Sequence, residues 1–112
     1  MSASYNLDKV KELAGGDESF VEILVQTFLE EIPDDLKSMS NAVAENDAKV
    51  AYQYAHKMKP NFQLFGIEVL DQIKLIESWS NDVKTFEEVK TALHTIEKKA
   101  QSALVELKEL LN

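Results

Sequence analysis

With 112 residues the chain has room for one hydrophobic core, so a single domain over residues 1–112 is expected, without a separate cofactor-binding domain beside it. Twenty acidic against twelve basic residues leave a formal charge of −8, which opposes the phosphate neutralisation that general nucleic-acid binding rests on. Cysteine is absent, which excludes disulfides, thiolate metal sites and cysteine nucleophiles, and three glycines (Gly15, Gly16, Gly66) do not make a phosphate-cradling loop. No signal peptide and no apolar run of bilayer-spanning length is visible, so a cytoplasmic protein off the membrane, most simply a monomer, is the expectation.

From Asn6 onward the periodicity is helical. Asn6 can cap a short helix whose Leu7, Val10, Leu13 and Ala14 share a face, and Gly15-Gly16 ends it. Asp17, or Ser19 with Glu22 in capping-box spacing, opens the second helix. Its Phe20, Ile23, Leu24, Val25, Phe28, Leu29 and Ile32 cover more of the circumference than one core stripe needs; the first helix should cover part of the surplus, and the remainder would be a partner surface. Pro33 interrupts this pattern but Leu36, Met39 and Val43 continue it, which predicts one long helix with a kink or brief break, ending near Glu45.

Asn46-Asp47 supplies a turn and the next cap. The third helix carries Val50, Tyr54, Met58, Phe62 and Phe65 at spacings of four, four, four and three, a core stripe, and Gly66 follows in a helix-terminating position. A fourth helix uses Ile67, Leu70, Ile73 and Ile76, with Trp79 near its end, before Ser80-Asn81-Asp82 breaks it. The last opens with the capping box Thr85-Phe86-Glu87-Glu88, and Phe86, Val89, Leu93, Ile96, Ala100, Ala103, Leu107 and Leu110 then trace a bundle seam. No segment alternates with period two. The predicted fold is all-α: an antiparallel up-and-down four-helix bundle with an additional short N-terminal helix.

On the third helix, Tyr52 and Pro60 project within about 40° of His56, Lys59 within about 60° and Gln63 within about 20°, whereas Tyr54 and Met58 lie about 160° away. His56 therefore points outward. An outward histidine is by itself an ordinary surface residue, but two features set this one apart. The window from Ala48 to Ile67 holds no acid, where the chain's average density would place about three or four, and has Lys49, Lys57 and Lys59 around His56 instead. Such a basic face steers toward an acidic site on a partner. Lys59 also lies one turn from His56, within reach of a group bonded to the imidazole, and its charge should disfavour imidazolium.

The stretch Ala55-His56-x-Met58-Lys59, with Gly66 ten residues after His56, resembles the signature of histidine-containing phosphotransfer (HPt) domains, usually A-H-x-[L/I/M]-K-G followed by a glycine at that offset. Leu13-Ala14-Gly15-Gly16-Asp17-Glu18-Ser19-Phe20 and Phe28-Leu29-Glu30-Glu31-Ile32-Pro33 are similar to the stretch before the histidine helix in many such domains, so the resemblance covers roughly residues 5 to 80. It implies that His56 is the phospho-acceptor, taking a phosphoryl group through its outer ring nitrogen from an aspartyl phosphate of a receiver domain and returning it to another. Lys59 would pair with the phosphoryl oxygens, Gln63 could hydrogen-bond the imidazole or the phosphoryl group, and Gly66 would be structural. Tyr52, Lys57 and Pro60 would belong to the docking surface. The implied partners are receiver domains of response regulators or hybrid histidine kinases; magnesium and the acidic pocket belong to the receiver, so this chain needs no cofactor or metal and is a phosphorylated intermediate without its own ATP site.

One position departs from the family pattern. Where a glycine usually stands four residues after the histidine, this chain has Pro60, which removes the hydrogen bond to the His56 carbonyl and clashes with it, at about 3 kcal/mol or more in a helix interior. Either the helix kinks and His56 remains accessible, with the Pro60 ring in the docking surface, or receiver approach is blocked and the bundle is a non-transferring adaptor; the first is favoured because His56, Lys59 and Gly66 are all present. An enzyme using His56 as general base would lack a companion acid and an orienting carboxylate. His94 reads as a solvated flank residue, and Asp34-Asp35 and Glu87-Glu88 as charges placed at helix starts.

Overall fold

The computed structural model describes residues 3–79, 81 and 85–111, and every regular element among them is a helix. In chain order these are α1 (Asp8–Ala14), α2 (Glu18–Ala44), α3 (Ala48–Leu64), α4 (Leu70–Ser78) and α5 (Phe86–Leu111). Side chains of the residues just outside each helix set the starts. The Asp17 carboxylate accepts from the amides of Ser19 and Phe20, so Asp17 and not Ser19 caps α2. Asp47 accepts from Val50 N at the start of α3. At α5 the capping box closes in both directions: Glu88 N donates to Thr85 Oγ1 and Thr85 N to Glu88 Oε2. For α1 the cap position falls on Leu7, one residue later than expected, yet Asn6 still contributes by accepting from Asp8 N at 2.8 Å.

The turns on either side of α3 share one design. At the end of α2, Asn46 takes φ 59°, and the amides of Asn46 and Asp47 donate back to Val43 O and Ala42 O. At the end of α3, Gly66 takes φ 62°, and the amides of Gly66 and Ile67 donate to Gln63 O and Phe62 O. Both are Schellman endings, which satisfy the last carbonyls and reverse the chain within a few residues. Gly66 is required twice over. Its φ favours glycine, and a Cβ there would lie 2.7 Å from the Asn6 Cβ, because the N-terminal arm crosses at this point with Asn6 N donating to Phe65 O.

Helices α2, α3, α4 and α5 form a closed ring of packed neighbours, and α1 lies against α2. At about 1.5 Å per residue, the 27 residues of α2 run most of the 44 Å long axis. Val25, Phe28, Ile32, Met39 and Val43 of α2, Ile73 and Ile76 of α4, and Val89, Ile96, Ala100 and Leu107 of α5 fill the interior. Each large apolar side chain buried this way contributes about 1.5–3 kcal/mol. Phe28 packs against Phe65 at 4.2 Å between centroids and meets Phe62 edge-on at 6.4 Å, fixing the end of α3 on α2.

The core stripe of α3 is rotated from the expected one. Ala51 and Ala55 are fully buried beside Met58 and Phe62, while Val50 and Tyr54 are only partly buried. Two alanines at this face let α3 approach its neighbours closely, and Val50 and Tyr54 flank the contact. Proline interrupts neither long helix: α2 continues through Pro33 and α3 through Pro60, both with exposed rings. α3 is not broken beside His56, which stays on a continuous helix. The His56 carbonyl loses its helical donor on the solvent side, where water can satisfy it.

Three other expectations are corrected. Asp34-Asp35 lie inside α2, not at a helix start, and Asp35 is buried. Ile67 belongs to the turn before α4, and the fully buried residue beside it is Val69. Phe86 and Leu110, the ends of the α5 seam, are exposed, as is Leu13 of the α1 face, while Phe20 and Ile23 are the part of the α2 apolar surplus left uncovered. Within the expected break after Trp79, Ser80 and Asp82 lie outside the described residues. No described helix is long and apolar enough to cross a membrane.

Candidate functional site

His56 stands in the middle of α3, between buried Ala55 and the exposed stem of Lys57, and its side chain is 64 % exposed. The imidazole is nevertheless held on two sides. Tyr52, one turn earlier, stacks on it with centroids 5.5 Å apart and planes 6° from parallel. From α4, the Glu77 carboxylate places Oε2 2.9 Å from His56 Nδ1. An ionised carboxylate has no proton to give, so Nδ1 carries the hydrogen and donates it, and in the neutral ring the lone pair is then on Nε2. Among the described residues Nε2 has no hydrogen-bond partner.

The other oxygen of the same carboxylate serves Lys59. Its Nζ donates to Glu77 Oε1 at 3.2 Å, and the lysine side chain is only 26 % exposed. Glu77 itself is 13 % exposed, held at the α3–α4 edge by the fully buried Ile76 beside it. One carboxylate thus ties together the two side chains expected to carry the chemistry. This corrects the reading of an acid-free face with no orienting carboxylate. The acid lies 21 residues from His56 in the chain and is delivered by the neighbouring helix. Sequence gave one usable signal: Ile73 and Ile76 mark the inward face of α4, and Glu77 is the acid next to it. Which flank faces α3 depends on how the helices are rotated, and periodicity does not report that.

The remaining expected residues divide between the two flanks. Lys57 is exposed but engaged: its Nζ donates to Asp35 Oδ1 of α2 at 2.9 Å. That hydrogen bond, with the charge of Asp35 behind it, raises the Lys57 pKa above the ordinary 10.5. Asp35 was not anticipated here, and its second oxygen, Oδ2, is buried without a partner among the described residues. Pro60 is exposed on the same side as His56, and Gln63 is exposed two turns along, where it lines a cavity rather than touching the imidazole. Gly66 has the structural place described above. His94 is exposed on α5 and takes no part in the His56 cluster. Among the described residues no group of three or more His, Asp or Glu side chains is arranged to hold a metal ion.

The arrangement offers a nucleophilic nitrogen to solvent, a carboxylate to hold and neutralise its ring, and a cation that can turn to an anion bound at Nε2. No curated protein and no solved structure matches the chain. A family model described as Hpt domain matches residues 23–74, from the first third of α2 through all of α3 to the middle of α4. The helix carrying His56 and Lys59 lies wholly within that match, so this part of the chain is similar to an Hpt domain.

Proposed function

We propose that this chain is a histidine phosphocarrier in a two-component phosphorelay, accepting a phosphoryl group on His56 from an aspartyl phosphate of a receiver domain and passing it to another receiver. The observation that carries this reading is the exposed imidazole whose Nδ1 is committed to Glu77. The Nε2 lone pair attacks phosphorus; the N–P bond forms as the acyl P–O bond breaks, and the electron pair leaves with the receiver's aspartate. The ring becomes a phosphorylated imidazolium, still protonated at Nδ1, and Glu77 stabilises that charge through the existing hydrogen bond. Lys59 turns from Glu77 Oε1 to the phosphoryl oxygens. No proton needs to move, so the same geometry serves transfer in both directions. Positioning and charge stabilisation are most of what phosphoryl transfer asks of a protein.

In this reading α2 to α5 form an antiparallel up-and-down bundle, the protein works as a cytoplasmic monomer, and receivers dock over Tyr52, His56 and Pro60. Because α3 stays helical through Pro60, the proline ring adds to the docking surface instead of removing the histidine from it. Receiver domains of response regulators or hybrid kinases supply the magnesium and the acidic pocket. The test is incubation with a phosphorylated receiver, followed by detection of acid-labile, base-stable label on the chain. Label on the wild type and none on His56→Gln is expected. Label that persists in His56→Gln, or receiver binding without any label, would overturn the carrier in favour of another site or an adaptor.

A further inference from the structure

A cavity of about 1250 Å³ opens between the N-terminal arm, the turn from α3 to α4, and the middle of α5. Small-molecule sites usually enclose about 300–1,000 Å³, so space does not limit what it could hold. Its charge runs against that of the molecule. In a chain of net charge −8, three of the twelve lysines (Lys9, Lys98, Lys99) and one of the two histidines line it, while Glu68 is the single acid among the described lining residues and Glu106 stands behind Ser4. Lys99 is occupied, donating to the Glu68 carbonyl at 2.9 Å. Lys9 from α1 and Lys98 from α5 have no ion-pair partner among the described residues, and exposed His94 lies one turn before Lys98. Cations gathered around a concave, partly apolar surface concentrate field there and draw in polyanions.

Partly buried Tyr5 also lines the cavity, and Phe62 and Ile67, only 2 % and 5 % exposed, close its floor from the core. The arm that carries Tyr5 is pinned on both sides of it: Ser4 donates to Glu106 from its amide (2.8 Å) and its hydroxyl (2.6 Å), and Asn6 N donates to Phe65 O (2.8 Å). A ligand here would meet a wall already in place, which lowers the ordering cost of binding.

We propose that this cavity binds an organic phosphate with a flat apolar body, its phosphates held by Lys9, His94 and Lys98 and its body laid against Tyr5. His56 does not line the cavity, so the bound molecule is a ligand and not a phosphoryl donor, and the inference stands apart from the carrier reading. Gln63 lines the cavity from the same face of α3 as His56, so an occupied cavity would adjoin a docked receiver.

The test is a metal-free titration of the full chain with a nucleoside diphosphate, the parent nucleoside and inorganic phosphate, read by calorimetry and by amide shifts in NMR. The diphosphate should bind saturably and most tightly, with shifts confined to residues 4–9, 62–68 and 94–102. Lys98→Gln should weaken it about tenfold, the size of one lost charge-assisted hydrogen bond, while Lys37→Gln on the exposed face of α2 should not. No saturable binding, shifts spread over the lysines of all helices, or equal weakening by Lys98→Gln and Lys37→Gln would overturn the proposal. Inorganic phosphate binding as tightly as the diphosphate would equally overturn it, since the apolar wall would then contribute nothing.

Discussion

Two carboxylates reach α3 from its two neighbours, and they do different things with a similar contact. Glu77 of α4 shares its two oxygens between His56 and Lys59, so both oxygens have partners. Asp35 of α2 meets one partner, Lys57, with one oxygen and buries the other unpaired. The first arrangement leaves its cation poised to exchange one anion for another at little cost. In the second, an exposed lysine leans back onto a carboxylate that has lost its water, and part of the gain is offset by desolvation. Proximity of opposite charges therefore does not say what a pair is for; the fate of the second oxygen does.

This contrast can be broken experimentally, and the largest effect should come from Lys59. Removing its charge in Lys59→Ala should slow phosphoryl transfer from a receiver about 10²–10³-fold, as for other single donors to a developing oxyanion, with thermal stability little changed. Glu77→Ala should cost about 10²-fold through misplacement of the ring. Glu77→Gln should recover part of that loss, because the amide oxygen still accepts from Nδ1, and should alter the pH profile of transfer because the charge is gone. Equal rates for the two Glu77 variants would mean that hydrogen-bond orientation contributes nothing.

On the other flank the effects should be small. Asp35→Asn should leave transfer within about twofold of wild type and shift the melting temperature by about 4 °C or less, because the lysine it releases is already exposed. A loss of transfer in this variant would erase the distinction between the two flanks. The smallest effect is alkaline. The folded pKa of Lys57 lies above its unfolded value, so the stability it contributes is complete below about pH 10.5 and is lost as pH rises through the folded value. Denaturant unfolding carried through that range should show a slightly steeper alkaline loss for wild type than for Asp35→Asn.

The same contrast marks how far the chain could be read without its structure. Features set by residues close in sequence were legible: the caps at Asp17, Asp47 and Thr85 with Glu88, the left-handed turn at Gly66, and the outward direction of His56. Features set by rotation of one helix against another were not. The buried alanines at 51 and 55 displaced the expected stripe of larger residues, because close helix approach rewards small side chains that periodicity arguments discount. Asp35 was read as a helix-start charge, whereas it lies inside the long α2 and is buried. Glu77 lies beyond the matched family segment and far from His56, and the local pattern marks it only as an acid beside the inward face of α4, without saying which neighbour it meets.

The stack between Tyr52 and His56 has a practical consequence. With the two planes nearly parallel and their centroids 5.5 Å apart, the phenol ring current acts on the carbon-bound protons of the imidazole, so their resonances should be displaced from those of a free histidine. Phosphorylation that leaves the ring in place would preserve that displacement, while a ring swung outward to meet a receiver would lose it. The protein thus carries its own spectroscopic gauge of whether the histidine moves when it is charged.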